Sequence, residues 1–342
     1  MRHLNIVVVV PLIEERDYFY QAILGRKNWN FPKTLRRSMK YSYNDGERSA
    51  KVNVRTIEKM GQLEAVLAMN AAASSYDPEL VVLVGLAGSM DPEVAGYGDV
   101  IVSNQVKMYA PNKVGTISNQ TDEEPFYYFA SDSPPTKPKS KVVKVDDRDR
   151  MLTCSYHRYQ RDFIECAYMD SALTSLEQTL TDHELKQLDN TPIPSRFKSY
   201  GSMTRGRQVQ YGWIFGSDYV VDSKEYRDYL NDKDQNTGSD IYTQLDESEK
   251  VKWKSGKLLA VDMESYGVLK AIETLRTTPA IEGGVNNLVG GIIVRGISDL
   301  AESKGKSDLG SKNELRRIAV HNAAEVTAQI IERLDYSTVV ER

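Results

Sequence analysis

The feature that most constrains the fold is a continuous apolar run at residues 5–12, in which valine occupies every position from Val7 to Val10. A strand that is apolar on both faces belongs inside a sheet covered by helices on both sides, because an exposed face would carry polar residues at alternate positions. Charged residues follow at positions 14–16, so the run is too short for a signal peptide or a membrane span. We interpret it as the buried first strand of a layered α/β protein.

The same alternation of strands and helices continues along two stretches of the chain. Further strands are predicted at residues 50–57, 80–84, 99–103, 208–215, 257–261 and 288–297. Helices are predicted at residues 14–24, 62–75, 223–230, 264–275 and 312–334. Residues 85–89, Gly-Leu-Ala-Gly-Ser, are predicted to form a turn after their strand.

Residues 108–207 differ from the rest, because polar, aromatic and proline-rich sequence replaces the alternation. The most open part is residues 131–144, which combine prolines with lysines and are typical of a surface loop. A chain of 342 residues could hold two domains. Since the alternation flanks this stretch on both sides, we favour a single α/β domain over residues 1–342 with an insertion at about 108–207.

Composition narrows the possible partners. The chain has 48 acidic and 44 basic residues, a formal net charge of −4, so there is no general attraction to nucleic acid or to an anionic membrane. Cys154 and Cys166 form no CxxC pair, which favours a reducing, cytoplasmic location. The 4 histidines have no metal-ligand spacing, and the glycines lack the GxGxxG order of a dinucleotide fold. We expect no metal, no cofactor, and a small-molecule partner.

Candidate functional residues follow the predicted strands, where ligands of layered α/β folds bind. They are Glu14-Glu15 after the first strand, the glycine segment 85–89, Asp262-Met263-Glu264, and Arg295-Gly296-Ile297-Ser298-Asp299. Together with Gly98-Asp99-Val100 and Gly216-Ser217-Asp218, in this order, these motifs resemble the nucleoside phosphorylase and nucleosidase superfamily. The 5′-methylthioadenosine/S-adenosylhomocysteine nucleosidase branch is the most similar, including its domains in signalling and defence proteins. The resemblance covers residues 5–105 and 208–334.

The resemblance implies a three-layer αβα sandwich with a central mixed β-sheet, and cleavage of an N-glycosidic bond. That reaction needs an acid for the departing purine and a carboxylate that activates water. By resemblance, Asp299 is the acid that contacts the adenine ring nitrogen and exocyclic amine, and Ser298 holds it in place. Glu264 binds the ribose hydroxyls, and Met263 packs against the sugar.

Further roles are also implied by the resemblance. Glu15 positions and activates the nucleophilic water, with Glu14 as the alternative if the register shifts by one residue. The backbone of Leu86, Ala87 and Gly88 faces the base. The segment Tyr219, Val220 and Val221 does the same, and Met60 lies on the 5′ side of the sugar. Arg295 is interpreted as an ion-pair partner that supports the site.

Two alternatives remain open at this point. A phosphorylase would need an arginine for phosphate; Leu83 stands where hexameric phosphorylases carry one, although Arg205 or Arg207 from the insertion could enter the site. A non-catalytic nucleoside sensor would be free to lose the three carboxylates, and this chain keeps them. The substituent at the 5′ carbon of the substrate's ribose is also open. A thioether would bind in an apolar pocket, whereas the phosphates of a nucleotide would bind cationic side chains such as Lys113. A nucleotide substrate would suit a defence effector, and we expect a homo-oligomer.

Overall fold

The structure is a computed structural model that describes most of the chain outside the insertion. The described ranges are residues 3–24, 26–30, 38–111, 116–117, 126–127, 159–165, 188–191, 206–217, 220–222, 257–278, 287–302 and 312–336, with residues 169, 173, 176, 224, 227, 228, 230 and 231. The chain divides into two compact units, one comprising Met1–Lys107 with Phe163–Arg342 and the other Met108–Asp162. Tyr219, Lys113, Arg205 and the loop predicted at residues 131–144 lie outside the described residues.

Fourteen strands and four long helices have defined bounds among the described residues. The strands are β1 His3–Val10, β2 Trp29–Asn30, β3 Ser38–Asn44, β4 Ser49–Thr56, β5 Leu80–Ser89, β6 Val100–Ser103, β7 Gln105–Pro111, β8 Thr116–Ile117, β9 Phe126–Tyr127, β10 Tyr159–Glu165, β11 Val209–Tyr211, β12 Trp213–Gly216, β13 Leu258–Asp262 and β14 Gly290–Asp299. The helices are α1 Ile13–Ile23, α2 Gln62–Tyr76, α3 Ser265–Thr277 and α4 Lys312–Arg333. These four helices match predicted ones, and residues 224, 227, 228 and 230 of the predicted 223–230 helix are also helical.

A mixed sheet forms the centre of the larger unit, as predicted. Within this unit its path runs β12-β13-β5-β1-β4-β3-β2, and β14 lies beside β5. Strand β1 pairs in parallel with β4 and β5, and β14 pairs in parallel with β5, whereas β13 is antiparallel to β5. The carboxyl ends of β1, β4, β5 and β14 therefore meet at one edge, where a ligand site is expected.

Helices cover both faces of this sheet, which is the predicted three-layer arrangement. In β14, a Cβ on Gly291 would meet α3 at Ile272, whereas a Cβ on Gly296 would meet the α4 backbone at Ala319. Positions separated by an odd number along a strand point to opposite faces, so α3 and α4 lie on opposite sides of the sheet. Val7 to Val10 are all fully buried, as a doubly covered strand requires. None of the described helices is both long enough and apolar enough to cross a membrane.

The predicted turn at residues 85–89 is wrong, because β5 continues as a strand to Ser89. The backbone of this segment is paired on both sides: Leu86 and Ala87 with β14, and Gly88 with Val261 of β13. Gly85 and Gly88 therefore allow neighbouring groups to pack closely against β5, and they do not reverse the chain direction. A Cβ on Gly88 would lie 2.8 Å from Asp299 Oδ1, closer than carbon and oxygen normally approach.

The predicted strand at residues 208–215 is two strands. Strand β11 pairs with β6, and β12 pairs with β13. The change of partner occurs at Gly212, where a Cβ would lie 2.8 Å from the carbonyl oxygen of Lys257. In the smaller unit, the described residues include β8 and β9, which pair in an antiparallel manner.

Candidate active site

A cleft opens at the carboxyl edge of the sheet and encloses about 630 Å³, including the part open to solvent. It is lined by Pro11, Leu12, Glu15, Met60, Leu86, Ala87, Gly88, Val220, Val221, Val261, Asp262, Met263, Glu264, Ser298, Asp299 and Arg316. The lining contains the three candidate carboxylates Glu15, Glu264 and Asp299, and the described residues predicted to contact the base or the sugar: Met60, Leu86, Ala87, Gly88, Val220, Val221, Met263 and Ser298. The sequence motifs, far apart along the chain, therefore converge on one cavity.

Glu15 enters the cleft from the first turn of α1. Its Oε2 accepts a hydrogen bond from the Leu12 N–H at 2.8 Å, and its Oε1 accepts one from the Leu86 N–H at 2.9 Å. Burial raises the pKa of the Glu15 carboxyl to about 7, although the Arg295 guanidinium and the two backbone donors oppose this shift. Glu14 is not part of the cleft lining, and its side chain is 45% exposed.

Arg295 is the buried centre of the site's charge network. Its Nε donates to Asp262 Oδ2 at 2.6 Å, and its Nη2 donates to Glu264 Oε2 at 3.0 Å. Its buried Nη1 has no hydrogen-bond partner in the part of the chain that the structure describes. Arg295 Nη1 and Glu15 Oε1 both lie within 3.0 Å of the point that a Cβ on Gly85 would occupy. A glycine is thus required where these two groups approach each other.

Glu264 precedes α3 and is held at both carboxylate oxygens. Oε1 accepts from the Gly61 N–H at 3.3 Å, while Oε2 faces Arg295. Burial raises the pKa of Glu264; Arg295 opposes this rise and the neighbouring Asp262 reinforces it. Asp262 in turn accepts the Ser265 N–H at 3.0 Å and the Ser265 hydroxyl. The carboxylate of Glu264 is therefore fixed in orientation before a ligand arrives.

Asp299 is the last residue of β14 and lines the cleft. The Ser298 hydroxyl donates to its Oδ2 at 3.0 Å, and the Ala301 N–H donates to its Oδ1 at 3.0 Å. Ala301 adopts a left-handed φ of 53°, which turns the chain sharply so that its N–H points back at the carboxylate. Ser298 thus contacts Asp299 in the way the resemblance implies.

Two arginines lie differently from the sequence expectations. Arg207, considered as a cation that could enter the site, is buried elsewhere: its Nη2 donates to the Thr191 carbonyl at 3.2 Å, and its side chain packs beside Gly98. Arg316 of α4 lines the cleft and was missed, because a single arginine in an amphipathic helix carries no motif. The Arg316 guanidinium lies 3.5 Å from the Glu14 carboxylate at the start of α1, a contact between segments far apart in sequence that no sequence pattern signals.

The chain is similar to known proteins in part of its sequence and in its fold. No family model matches the chain. Over 88 residues it is 30% identical to a 5′-methylthioadenosine/S-adenosylhomocysteine nucleosidase of Marinomonas sp. (strain MWYL1), a match that covers 25% of this chain and 38% of that protein. The chain therefore spans well under half the length of that curated relative.

Two solved structures extend the similarity to nearly the whole chain. One is the 5′-methylthioadenosine/S-adenosylhomocysteine nucleosidase of Helicobacter pylori with butyl-thio-DADMe-Immucillin-A, with a TM-score of 0.52, 15% identity and coverage of 98% of this chain and 100% of that one. The other is the nucleosidase of S. pneumoniae with the transition-state inhibitor MT-ImmA, with a TM-score of 0.52, 14% identity and coverage of 97% and 100%. The chain thus has the phosphorylase/nucleosidase fold, in the form found in 5′-methylthioadenosine/S-adenosylhomocysteine nucleosidases.

Proposed function

We propose that the protein hydrolyses the N-glycosidic bond of an adenine nucleoside or nucleotide, releasing adenine and a ribose derivative. The observation that carries the proposal is the convergence of Glu15, Glu264 and Asp299 in one cleft. An acid, a sugar-binding carboxylate and a base are the groups that this cleavage needs. The two solved proteins of similar fold reported above are nucleosidases, which supports the same reaction class.

Asp299 acts on the leaving group. As the C1′–N9 bond breaks, its electron pair moves into the purine, and Asp299 in its acid form donates a proton to a purine ring nitrogen. Its second oxygen accepts from the exocyclic amine, which selects adenine over bases without that amine. Ser298 and the Ala301 N–H keep both oxygens in place. The backbone of residues 86–88, with Val220 and Val221, forms the wall against the base.

Glu264 binds the sugar. With one oxygen on the Gly61 N–H and the other on Arg295, the carboxylate presents its remaining lone pairs to the ribose hydroxyls. Met263 supplies an apolar surface against the sugar, and Met60 does so towards the 5′ carbon. The negative charge near the ring also stabilises the cation-like sugar that forms as the base departs.

Water is the proposed nucleophile, and Glu15 is its base. A water molecule between Glu15 Oε1 and the unpartnered Arg295 Nη1 would donate to the carboxylate and accept from the guanidinium. Glu15 takes one proton as the water oxygen bonds to C1′. Asp299 loses a proton and Glu15 gains one, so exchange with solvent restores both groups for the next turnover.

Adenine release from a substrate panel tests the proposal. Purified protein is incubated with adenosine, methylthioadenosine, S-adenosylhomocysteine, AMP, ATP and inosine, with and without phosphate, and free base is quantified by chromatography. Hydrolysis predicts phosphate-independent adenine release that falls at least about 100-fold in Asp299→Asn and in Glu15→Gln. Glu14→Gln is the matched control, since its side chain is outside the cleft lining, and it should retain near-normal rates.

Other outcomes would point to the alternatives. Release that depends on phosphate would indicate a phosphorylase. Equal release by the native protein and Asp299→Asn would show that this aspartate is not the acid. No release from any compound, combined with measurable nucleoside binding, would favour a sensor.

A further inference from the structure

We propose that Arg316 binds an anionic group attached to the 5′ carbon of the substrate, which makes the cleft selective for adenosine derivatives with a phosphate or carboxylate at that end. This inference rests on the proposed function and specifies the substrate class of the same site. It concerns a residue that no sequence motif singled out. Arg316 reaches the cleft from the first turns of α4.

The ion pair of Arg316 does not account for its position. Its Nη2 lies 3.5 Å from Glu14 Oε2, and the two side chains are 26% and 45% exposed. A long, partly exposed pair of this kind contributes little to stability. The pair uses one edge of the guanidinium, so further N–H groups remain for a ligand.

Of the cationic side chains at the site, Arg316 is the one that is accessible to a ligand in the cleft. Two cations belong to the site among the described residues, Arg295 and Arg316. Arg295 is fully buried and committed to Asp262 and Glu264. A bound anion would therefore meet Arg316, whose planar N–H fork matches a carboxylate or phosphate in a two-point contact.

The chemistry of the substrate locates the anion. Adenine and ribose carry no charge, and the proposed function assigns the base to Asp299 and the ribose hydroxyls to Glu264. A phosphate on either of those hydroxyls would be repelled by the Glu264 carboxylate. The 5′ carbon is the remaining point of attachment. The proposed function places it beside Met60, and Met60, Leu12 and Arg316 line the same cleft.

The test compares Arg316→Gln with Arg317→Gln. Arg317 is the matched control, because it is adjacent in α4, pairs with Asp189 at 3.0 Å and is absent from the cleft lining. Values of kcat/KM are measured for AMP, which carries a phosphate, S-adenosylhomocysteine, which carries a carboxylate, and the uncharged adenosine and methylthioadenosine. The two charged compounds distinguish the possible sources of the anion.

The expected result is selective. Arg316→Gln should lower kcat/KM by about 10- to 100-fold for one or both charged substrates, mainly through KM, and by less than about twofold for the uncharged ones. Arg316→Lys should restore part of the loss. An equal effect on charged and uncharged substrates, or no effect on any, would overturn the proposal. So would a raised KM for inorganic phosphate in a phosphate-dependent reaction, because Arg316 would then bind the nucleophile.

Failure of the proposed function would be distinguishable from failure of this inference. If the native protein releases no adenine from any compound, calorimetric binding of AMP and adenosine to the native protein and to Arg316→Gln replaces the rate measurement. Tighter binding of AMP than of adenosine, lost in Arg316→Gln, would sustain the anion site without the reaction. Equal binding of the two compounds would reject it.

Discussion

At the scale of single residues, Glu15 carries the clearest consequence for pH. Its pKa of about 7 in the folded chain places the change of charge of the Glu15 carboxyl near neutral pH. A base must be ionised to accept a proton from water, so ionisation of Glu15 should make kcat/KM rise as the pH increases through about 7. Initial rates between about pH 5.5 and 9 check this, with Glu14→Gln as the control that keeps the profile. A flat profile would argue against Glu15 as the base.

The same shift predicts how stability changes with pH. The folded pKa is about 7 against an ordinary value of 4.5, so between these values the folded chain holds a proton that the unfolded chain has released. Raising the pH through this window therefore lowers the free energy of unfolding of the native protein.

Glu15→Gln removes this dependence, because glutamine does not ionise. At pH 8, above the folded pKa of about 7, we expect the variant to be more stable than the native protein by up to about 3 kcal/mol. The difference should shrink towards pH 4.5, the ordinary pKa of the group. Urea unfolding at the two pH values measures it, and a difference independent of pH would contradict the assignment.

At the scale of structural elements, the segment after β14 is held by a helical segment that is remote in sequence. Arg227, only 3% exposed, donates through Nη1 to the Leu300 carbonyl at 2.8 Å and pairs with Glu302 Oε2 at 3.0 Å. Leu300 and Glu302 flank Ala301, whose N–H holds Asp299. Arg227 therefore acts on the proposed acid through this segment, without lining the cleft itself.

Loss of this contact should weaken turnover more than substrate binding. Arg227→Gln is expected to lower kcat about tenfold with a smaller change in KM, because the carboxylate of Asp299 would be less well oriented. Arg227→Lys should recover part of kcat. Lys224→Gln is the control, since Lys224 is in the same helical segment and pairs with Asp228 on the surface. A loss of stability with unchanged kcat would show that Arg227 is purely structural.

Sequence patterns predicted elements better than they predicted backbone pairing. The helices and the buried strands could be predicted because the spacing of their apolar residues shows which faces of each element are buried against the neighbouring layer. The segment at residues 85–89 was misassigned because glycine permits both a turn and a crowded strand, and only the partners β13 and β14 decide between them. Strand β3 was missed, although Tyr41 and Tyr43 are buried at alternate positions of it.

The candidate site shows a similar limit. Motif residues could be placed in advance, and Glu15, Glu264 and Asp299 line one cleft, but their roles stay predictions. Arg316 could not be found, since its importance depends on α4 beginning beside α1. Such a contact between distant segments leaves no local pattern in the sequence.

At the scale of the whole molecule, one buried ion network joins α1 to α4 on the side away from the cleft. Arg26, just after α1, pairs with Glu332 Oε2 at 2.7 Å and with Glu325. Glu332 also accepts the Trp29 indole N–H at 2.8 Å. Glu325 and Glu332 are largely buried, and the Arg26 guanidinium pairs with both of them.

Removing that guanidinium should therefore cost much more than breaking a surface pair. Arg26→Met is expected to lower the free energy of unfolding by about 3 kcal/mol, because it removes the guanidinium that pairs with both buried carboxylates. Lys270→Gln, which breaks the exposed pair with Glu273, should change it by less than about 0.5 kcal/mol. Denaturant unfolding of the two variants measures the contrast, and equal losses would contradict this account.

The close contact of α2 with α3 has a consequence for how a sugar would be received. The Gln62 side chain accepts the Gly267 N–H at 2.6 Å and donates to the Ser217 carbonyl at 3.3 Å, and Gly267 has no room for a Cβ against the Gln62 backbone. Gly61 and Glu264 immediately precede α2 and α3, so these contacts also fix the position of the proposed sugar-binding groups. Because this part of the site is ordered before a ligand arrives, little conformational entropy is lost there on binding. A larger share of the interaction free energy then remains for recognition of the sugar.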